Sequence, residues 1–318
     1  IMKRAWLDTI KAAKQFNDPG NFTTFVAYEY TSRTNERGNL HRNVIFEGSE
    51  HPDMPYTRLM STNPEDMWDW LDGLRERGIE GLAIPHNSNG SNGWMFQKTD
   101  WAGKPIDAEY AAQRMRNEPL VESTQVKGTS DTHPLLSPND EWADFELMTV
   151  KVATVIPSQA EGSYVREAYL NGLAMQQEQG FNPYQFGLVG ASDTHVGAGS
   201  FDESNYWSKV GIVDGTPVQR GSVPMDKPDA QGNRYMGAGI ASFETWGASG
   251  LTGVWAGANT RDEIYEAFRR KETFATSGGK DFLVKHTKKI DSILKLVYKV
   301  ATRDMFGDYL PMKNSIPL

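Results

Sequence analysis

The chain has 318 residues, 38% of them hydrophobic, and a formal net charge of -8, which is ordinary for a globular protein. The acidic balance argues against nucleic acid as a partner, and the absence of cysteine excludes disulfides and thiolate metal sites. No apolar run approaches the ~20 residues of a membrane span, which argues against a transmembrane protein.

The first third of the chain predicts one helix and two strands. Apolar residues recur at helical spacing over residues 2–15. Residues 22–28 are β-branched and aromatic and predict a strand that leads into Glu29, and residues 41–46 predict a second strand that His41 opens. Because the helical pattern begins at once, we expect an upstream part of the protein to be missing, which leaves the compartment open.

The middle third continues this alternation. Residues 63–77 predict a helix, and the apolar residues 81–85 predict a buried strand that ends at His86. A polar loop rich in Asn and Gly follows over residues 87–104, and it could form a lid or a wall for substrate. The next elements are a helix over 107–116, a short strand over 119–121 that leads into Glu122, a loop over 123–145 and a helix over 160–179.

The last third predicts a strand, an insertion and a charged tail. Residues 186–192 predict a buried strand that delivers Asp193. A Gly- and Pro-rich insertion covers about 214–240, and residues 279–318 form a divergent, Lys-rich tail whose apolar stripe predicts a terminal amphipathic helix. Between these lie a strand at 251–255, a helix at 260–270 with a capping box of Thr260 and Glu263, and a strand at 274–276.

Strands that alternate with helices are typical of an α/β fold with parallel strands. Polar residues gathered at the carboxyl ends of strands indicate a barrel whose site lies on that face. We therefore expect one barrel domain over residues 1–278, interrupted by insertions at about 87–104 and 214–240, followed by the separate tail.

Asp193 and His195 form the strongest local signal for a metal site. Positions two residues apart in an extended chain point to the same side, and a carboxylate beside an imidazole is a typical donor pair for a divalent ion. Alone, each further candidate is explained as well by an ion pair, a cap or a hydrogen-bonded core residue. Six such groups together are costly to bury unless they are paired or bind metal. The further candidates are Glu29, His41, His86 and Glu122.

Three other residues are candidates for contact with substrate. His133 lies in the loop after Glu122 and could bind substrate or donate a proton. Arg42 and Lys127 could steady an anionic substrate, with ordinary salt bridges as the alternative for both. The chain carries no P-loop or dinucleotide fingerprint and no Gly-x-Ser-x-Gly elbow. Paired carboxylates would suit a glycosidase but would leave the histidines unexplained.

Five segments resemble those of the family of unknown function DUF3604, which is similar to the polymerase-and-histidinol-phosphatase (PHP) superfamily. They are residues 25–31, 39–46, 85–89, 125–130 and 190–195. The resemblance covers roughly residues 2–278. It implies a distorted, TIM-like (β/α)7 barrel with two or three divalent metal ions, which hydrolyses phosphoesters.

The same resemblance assigns roles to individual residues. Glu29 resembles the bridging carboxylate of the superfamily. His41 and His86 resemble its histidine ligands, and Asp193 and His195 resemble its closing Asp-x-His pair. Mixed ligands of this kind suit Mn, Zn or Fe. We assign Glu122 and Asn87 to contact with substrate or to support of the ligands. The remaining metal ligands implied here are His41, His86, Asp193 and His195.

The chain departs from the superfamily in two places. The superfamily opens with His-x-His on its first strand, whereas the first histidine here is His41. The segment after Gly278 is also unlike the family. We therefore expect a barrel that is incomplete at its N-terminus and lacks several ligands of the metal centre.

The sequence favours a metal-dependent hydrolase that cleaves phosphoester bonds in a small anionic molecule. Two alternatives stay open at this point. One is an inactive barrel fragment that binds a ligand or a partner without turnover. The other is a metallohydrolase of a different bond, such as an amide, a lactone or a sulfate ester. The sequence leaves the oligomeric state open.

Overall fold

The computed structural model describes residues 2–193, 195, 218, 224–230, 232–234 and 250–277. Most of the predicted insertion at 214–240 and the whole predicted tail at 279–318 lie outside them. The helices are α1 (Met2–Gln15), α2 (Pro64–Arg75), α3 (Ala108–Asn117), α4 (Val165–Gln179) and α5 (Arg261–Arg270). The strands are β1 (Val26–Tyr30), β2 (Arg33–Thr34), β3 (Gly38–Asn39), β4 (Arg42–Phe46), β5 (Gly81–Pro85), β6 (Leu120–Gln125), β7 (Gly128–Thr129), β8 (Gly187–Gly190), β9 (Gly250–Val254) and β10 (Thr273–Ser277).

Local sequence explains where two of these helices begin. The Asn63 side chain accepts the Glu65 N–H at 3.0 Å and caps α2, whose first residue is a proline. The Thr260 hydroxyl accepts the Glu263 N–H at 3.4 Å and caps α5. The capping residue predicted at Thr260 is therefore confirmed.

A three-stranded antiparallel sheet, in the order β1-β4-β5, forms the N-terminal half of the fold. One of its faces packs against the apolar sides of α1 and α2. Burial of this face supplies one continuous core, which stabilises the sheet and fixes its register. The core contains Trp6, Ile10, Val26, Tyr30, Val44, Phe46, Met67, Trp68, Leu71, Leu74 and Ala83.

A second three-stranded sheet, in the order β7-β6-β8, pairs β6 parallel with β8. The antiparallel pair of β9 and β10 lies beside β8: the Thr252 hydroxyl donates to the Gly190 carbonyl at 2.7 Å, and the Thr273 hydroxyl donates to the Leu188 carbonyl at 2.7 Å. The other face of the first sheet packs here, against β6, β8 and α5. This second core contains Leu82, Ile84, Leu120, Val189, Tyr265 and Phe268.

The prediction of a (β/α)7 barrel is wrong. The described residues form separate small sheets, most of whose strand pairs are antiparallel, and no closed barrel is present among them. The connection from β1 to β4 shows why. Residues 31–41 hold only the short β2–β3 hairpin, whereas a parallel pair needs a crossover of about a dozen or more residues, usually a helix.

Several predicted boundaries also shift. Glu29 lies within β1 rather than after it, and α4 begins at Val165 rather than at residue 160. The predicted loop at 123–145 opens with the end of β6 and with β7. The polar end of β6 is buried through Gln125, and hydrophobic periodicity does not detect a buried polar strand. Within the part of the chain that is described, no helix is both long and apolar enough to cross a bilayer.

Candidate functional site

The register of the first sheet brings three predicted ligands to one face. Glu29 lies opposite Asn43, and the His86 N–H donates to the His41 carbonyl at 3.2 Å, just beyond the last pair of β4 with β5. Side chains alternate along a strand, so His41 and Asn43 point to the same side. Glu29 is then a diagonal neighbour of His41, and His86 is the direct neighbour of His41 across the sheet.

These three side chains, which we call the Glu–His–His cluster, converge. Glu29 Oε1 lies 2.7 Å from His41 Nδ1 and 3.7 Å from His86 Nε2. One potential ligand atom from each residue lies within 4.8 Å of the other two. The Glu29 side chain is 31% exposed and that of His86 is 3% exposed, and the neighbouring Asn43 is exposed. The cluster is therefore built on a buried base and opens toward solvent at Glu29.

The cluster perturbs the pKa of each of its members. Burial favours the neutral form of Glu29, but hydrogen bonds and charges of the two imidazoles outweigh it and hold its pKa well below the usual range. Burial lowers the pKa of His41, and the charges of His86 and Lys127 add to that effect. Burial also opposes a charge on His86, yet the surrounding carboxylates raise its pKa overall. The site therefore keeps Glu29 anionic and favours a neutral His41.

Two ring nitrogens of the cluster are buried without a hydrogen-bond partner among the described residues, namely His41 Nε2 and His86 Nδ1. A buried polar atom without a partner costs about 1–3 kcal/mol, so such atoms are rare in native proteins unless water or a ligand binds them. One carboxylate and two imidazoles are also a donor set that suits Zn, Mn or Fe. The residues present therefore fit a divalent metal ion.

Glu122, on β6, supports the buried side of the Glu–His–His cluster. Its side chain is buried, and Oε1 accepts the backbone N–H of Asn87 at 3.2 Å. Burial raises the pKa of Glu122 to about 7, with the charge of His86 opposing the shift and that of Asp193 adding to it. Asn87 adopts a left-handed backbone conformation with φ of +51°, which turns the chain sharply after β5.

Asp193 and His195 form a pair next to the buried side of the Glu–His–His cluster. His195 Nε2 lies 3.2 Å from Asp193 Oδ1, and Lys127 Nζ contacts Asp193 Oδ2. The Asp193 carboxylate is close enough to raise the pKa of both His86 and Glu122. The predicted ligands therefore fall into two adjoining groups, and their role as ligands of one ion centre stays a prediction.

The structure shows the partners of two predicted substrate-contact residues. Arg42 is buried in β4 on the opposite face, where its Nε donates to Glu118 Oε1 at 2.8 Å. This ion pair balances the charge of Arg42, so we do not include Arg42 in the candidate site. His133 Nδ1 accepts the Leu135 N–H at 3.2 Å, and its ring packs on Tyr164 at a centroid distance of 5.5 Å.

Sequence reasoning missed two asparagines that shape the site. Asn39 Nδ2 donates to the carbonyl of His86 at 2.9 Å, which fixes the backbone that carries the imidazole. Asn89 Nδ2 donates to the carbonyls of Lys127 at 3.0 Å and Met148 at 3.2 Å. Residues 87–91 are buried rather than an exposed lid, and the signal was an unusual density of Asn and Ser directly after a buried strand.

The family described as Protein of unknown function (DUF3604) matches residues 1–283. No curated protein and no solved structure matches the chain. Because the match spans most of the 318 residues, the chain belongs to the DUF3604 family.

Proposed function

We propose that this DUF3604 protein is a metal-dependent hydrolase that cleaves an ester bond in a small anionic molecule, with a phosphoester as the first substrate class. The observation that carries the proposal is the Glu–His–His cluster, whose three donor atoms lie within 4.8 Å of one another on a face that opens to solvent. A similarity to the PHP superfamily, which supports phosphoesters as substrates, is part of the proposal and rests on the sequence motifs.

Glu29, His41 and His86 would hold the ion. A bound divalent metal lowers the pKa of a water ligand from 15.7 to about 7, polarises the scissile group and stabilises charge that develops on its oxygens. Glu29 offers a permanent anion to the ion because its pKa is held low. Burial lowers the pKa of His41, which favours the neutral imidazole that binds metal, whereas a metal ion must compete with a proton at His86, whose pKa is raised by the surrounding carboxylates despite burial.

The chain supplies two further groups next to the ion site. Burial raises the pKa of the Glu122 carboxyl to about 7, so it would exchange a proton near neutral pH beside the ion site, which suits a general acid or base. The Lys127 ammonium is largely buried beside Asp193 and adds a fixed positive charge near His41. Because Asp193 balances this charge, the preference for an anionic substrate would come from the bound ion.

The first experiment measures metal content and hydrolysis together. Metal-stripped protein is loaded separately with Zn²⁺, Mn²⁺ and Fe²⁺, dialysed and analysed for bound metal. Each form is then assayed with p-nitrophenyl phosphate, bis-p-nitrophenyl phosphate, p-nitrophenyl sulfate, p-nitrophenyl acetate and a simple lactone. We expect retained metal and metal-dependent release of p-nitrophenol from a phosphoester.

Variants locate the activity. Glu29→Gln and His86→Gln should lose both the metal and the hydrolysis. His51→Gln is the matched control, because His51 packs beside Trp6, outside the cluster, and should keep both. Hydrolysis of the acetate, the sulfate or the lactone alone would move the proposal to the other bond. Retained metal without turnover of any substrate would favour the ligand-binding alternative, and no retained metal would refute the metal site.

A further inference from the structure

We propose that Lys127 acts as a built-in cation that neutralises Asp193 at the border of the Glu–His–His cluster, so that the site takes one divalent ion and Asp193 does not ligate it. This inference rests on the proposed function, because it concerns the number of metal ions that function uses. It departs from the two or three ions that the sequence resemblance implies.

The backbone of Lys127 is held in place from two sides. The register of β6 with β7 pairs Gln125 with Gly128, so Val126 and Lys127 form a tight two-residue loop. Gly128 has φ of +90°, and a Cβ there would lie 2.7 Å from the Glu146 carbonyl oxygen. Val126 is fully buried. The lysine side chain therefore starts from a fixed point rather than from a mobile loop tip.

The ammonium end of this side chain meets a carboxylate with little access to solvent. Lys127 Nζ contacts Asp193 Oδ2, and the two side chains are only 11% and 8% exposed. A buried ion pair of this kind is poorly screened by salt, and removing one partner leaves the other charge buried without this counterion, which is strongly unfavourable. The pair is therefore a persistent feature of the site and not an exposed contact that exchanges with water.

The position of this pair decides what an ion can reach. The Lys127 carbonyl accepts a hydrogen bond from Asn89 Nδ2 at 3.0 Å, so the loop that carries Lys127 lies against the segment that follows His86. The charge of Lys127 also acts on His41, and that of Asp193 acts on His86. Within the described residues, the donor atoms of Glu29, His41 and His86 form a group close enough to share an ion, and that group does not include Asp193. A metal ion on Asp193 would lie a few ångströms from the ammonium, and two like charges that close repel one another strongly where water screens them poorly.

Counting bound ions tests this inference. Metal-stripped protein is titrated with Zn²⁺ by calorimetry, and the Zn²⁺ retained after dialysis is measured by mass spectrometry. We expect one ion per wild-type chain and one in Lys127→Arg, which keeps the cation. Lys127→Met should take up a second, weaker ion, because Asp193 and His195 then attract a cation in place of the ammonium. The double variant Lys127→Met/Asp193→Asn should return to one ion.

Two controls fix the interpretation. Glu29→Gln should lose the ion of the wild-type protein, which places that ion in the cluster. Lys104→Met removes an exposed lysine and should keep one ion. Circular dichroism verifies that each variant is folded. If Lys127→Met alone fails to fold, the double variant, which removes both charges together, decides the question. If it keeps one ion, Asp193 is not a ligand of that ion, and if it loses the ion, the inference is overturned.

The outcomes separate this inference from the proposed function. Two ions in the wild-type protein, with one of them lost in the double variant, would overturn the inference and keep the metal centre. A count of one in a folded Lys127→Met variant would also overturn it, because the lysine would then exclude nothing. A wild-type protein without any bound ion would overturn the metal centre itself, and the inference with it.

Discussion

Replacement of Arg42 by methionine distinguishes a structural role for this residue from the substrate contact predicted from the sequence. The Arg42 side chain is 3% exposed, its Nε donates to Glu118 Oε1 at 2.8 Å, and its Nη1 donates to the Leu40 carbonyl at 2.6 Å. Trp68 Nε1 donates to the same Glu118 oxygen at 2.8 Å. We therefore expect Arg42→Met to lower the free energy of unfolding and to leave metal binding unchanged.

The surroundings of Glu118 set the size of the effect. Breaking a buried ion pair by removing one partner costs about 3–5 kcal/mol, because the other charge stays buried. Arg114 Nε lies 3.3 Å from Glu118 Oε2 and still offers a countercharge in the variant. The loss should thus fall near the lower end, about 3 kcal/mol, whereas Glu118→Gln leaves two buried guanidinium groups and should cost nearer 5 kcal/mol.

Urea unfolding followed by circular dichroism measures both losses. The exposed Arg58 provides the matched control, since Arg58→Met should change the free energy of unfolding by less than about 0.5 kcal/mol. A stable Arg42→Met variant with reduced hydrolysis and an unchanged unfolding curve would refute this reasoning and return Arg42 to the substrate.

Three further predictions concern stability. Burial opposes ionisation of Asp72, but the hydrogen bonds from Arg116, Asn117 and Gln113 and the charge of Arg116 together lower its pKa from 3.8 to about 2. Its contribution to stability is therefore complete above about pH 5 and is lost as the pH falls toward 2. Asp72→Asn should cost about 1–2 kcal/mol at pH 7, measured by urea unfolding, and should flatten the stability profile between pH 5 and 2, whereas the exposed Asp144→Asn should not. Gly128→Ala should cost at least about 2 kcal/mol, since its φ is +90° and its Cβ would strike the Glu146 carbonyl, and an unchanged melting temperature would contradict this. Free Zn²⁺ at 100 times its Kd should stabilise the protein by about 2.7 kcal/mol, and an unshifted melting temperature in Glu29→Gln would assign that gain to the cluster.

The sequence predicted local elements well because their causes are local. The Thr260 cap and the apolar spacing of α1 and α2 depend on residues a few positions apart. The prediction of a barrel was wrong because alternation of strands and helices does not determine strand direction. The strands β4 and β5 are separated by α2, as in a parallel unit, yet they pair antiparallel.

The candidate site shows the same division. Glu29, His41 and His86 could be chosen as candidates from their positions at or next to strands, but their convergence depends on the register of three strands, which a single sequence does not specify. Lys127 was a candidate only as a substrate contact. Its pairing with Asp193 joins positions 66 residues apart, and no local pattern could have predicted it.

With an ion bound as we propose, the charges around the cluster would favour an anionic substrate. Lys127 and Asp193 cancel one another as a pair, and Glu29 supplies one negative charge to the ion site. A divalent ion held by Glu29 and two neutral imidazoles would therefore leave one positive charge uncompensated at the solvent-facing side of the cluster. A phosphoester brings the missing negative charge, whereas a neutral amide or lactone leaves the imbalance in place. If the double variant Lys127→Met/Asp193→Asn, which removes both charges of the pair, lost its preference for phosphoesters over neutral esters while keeping its fold, the pair and not the ion would be the source of this selectivity.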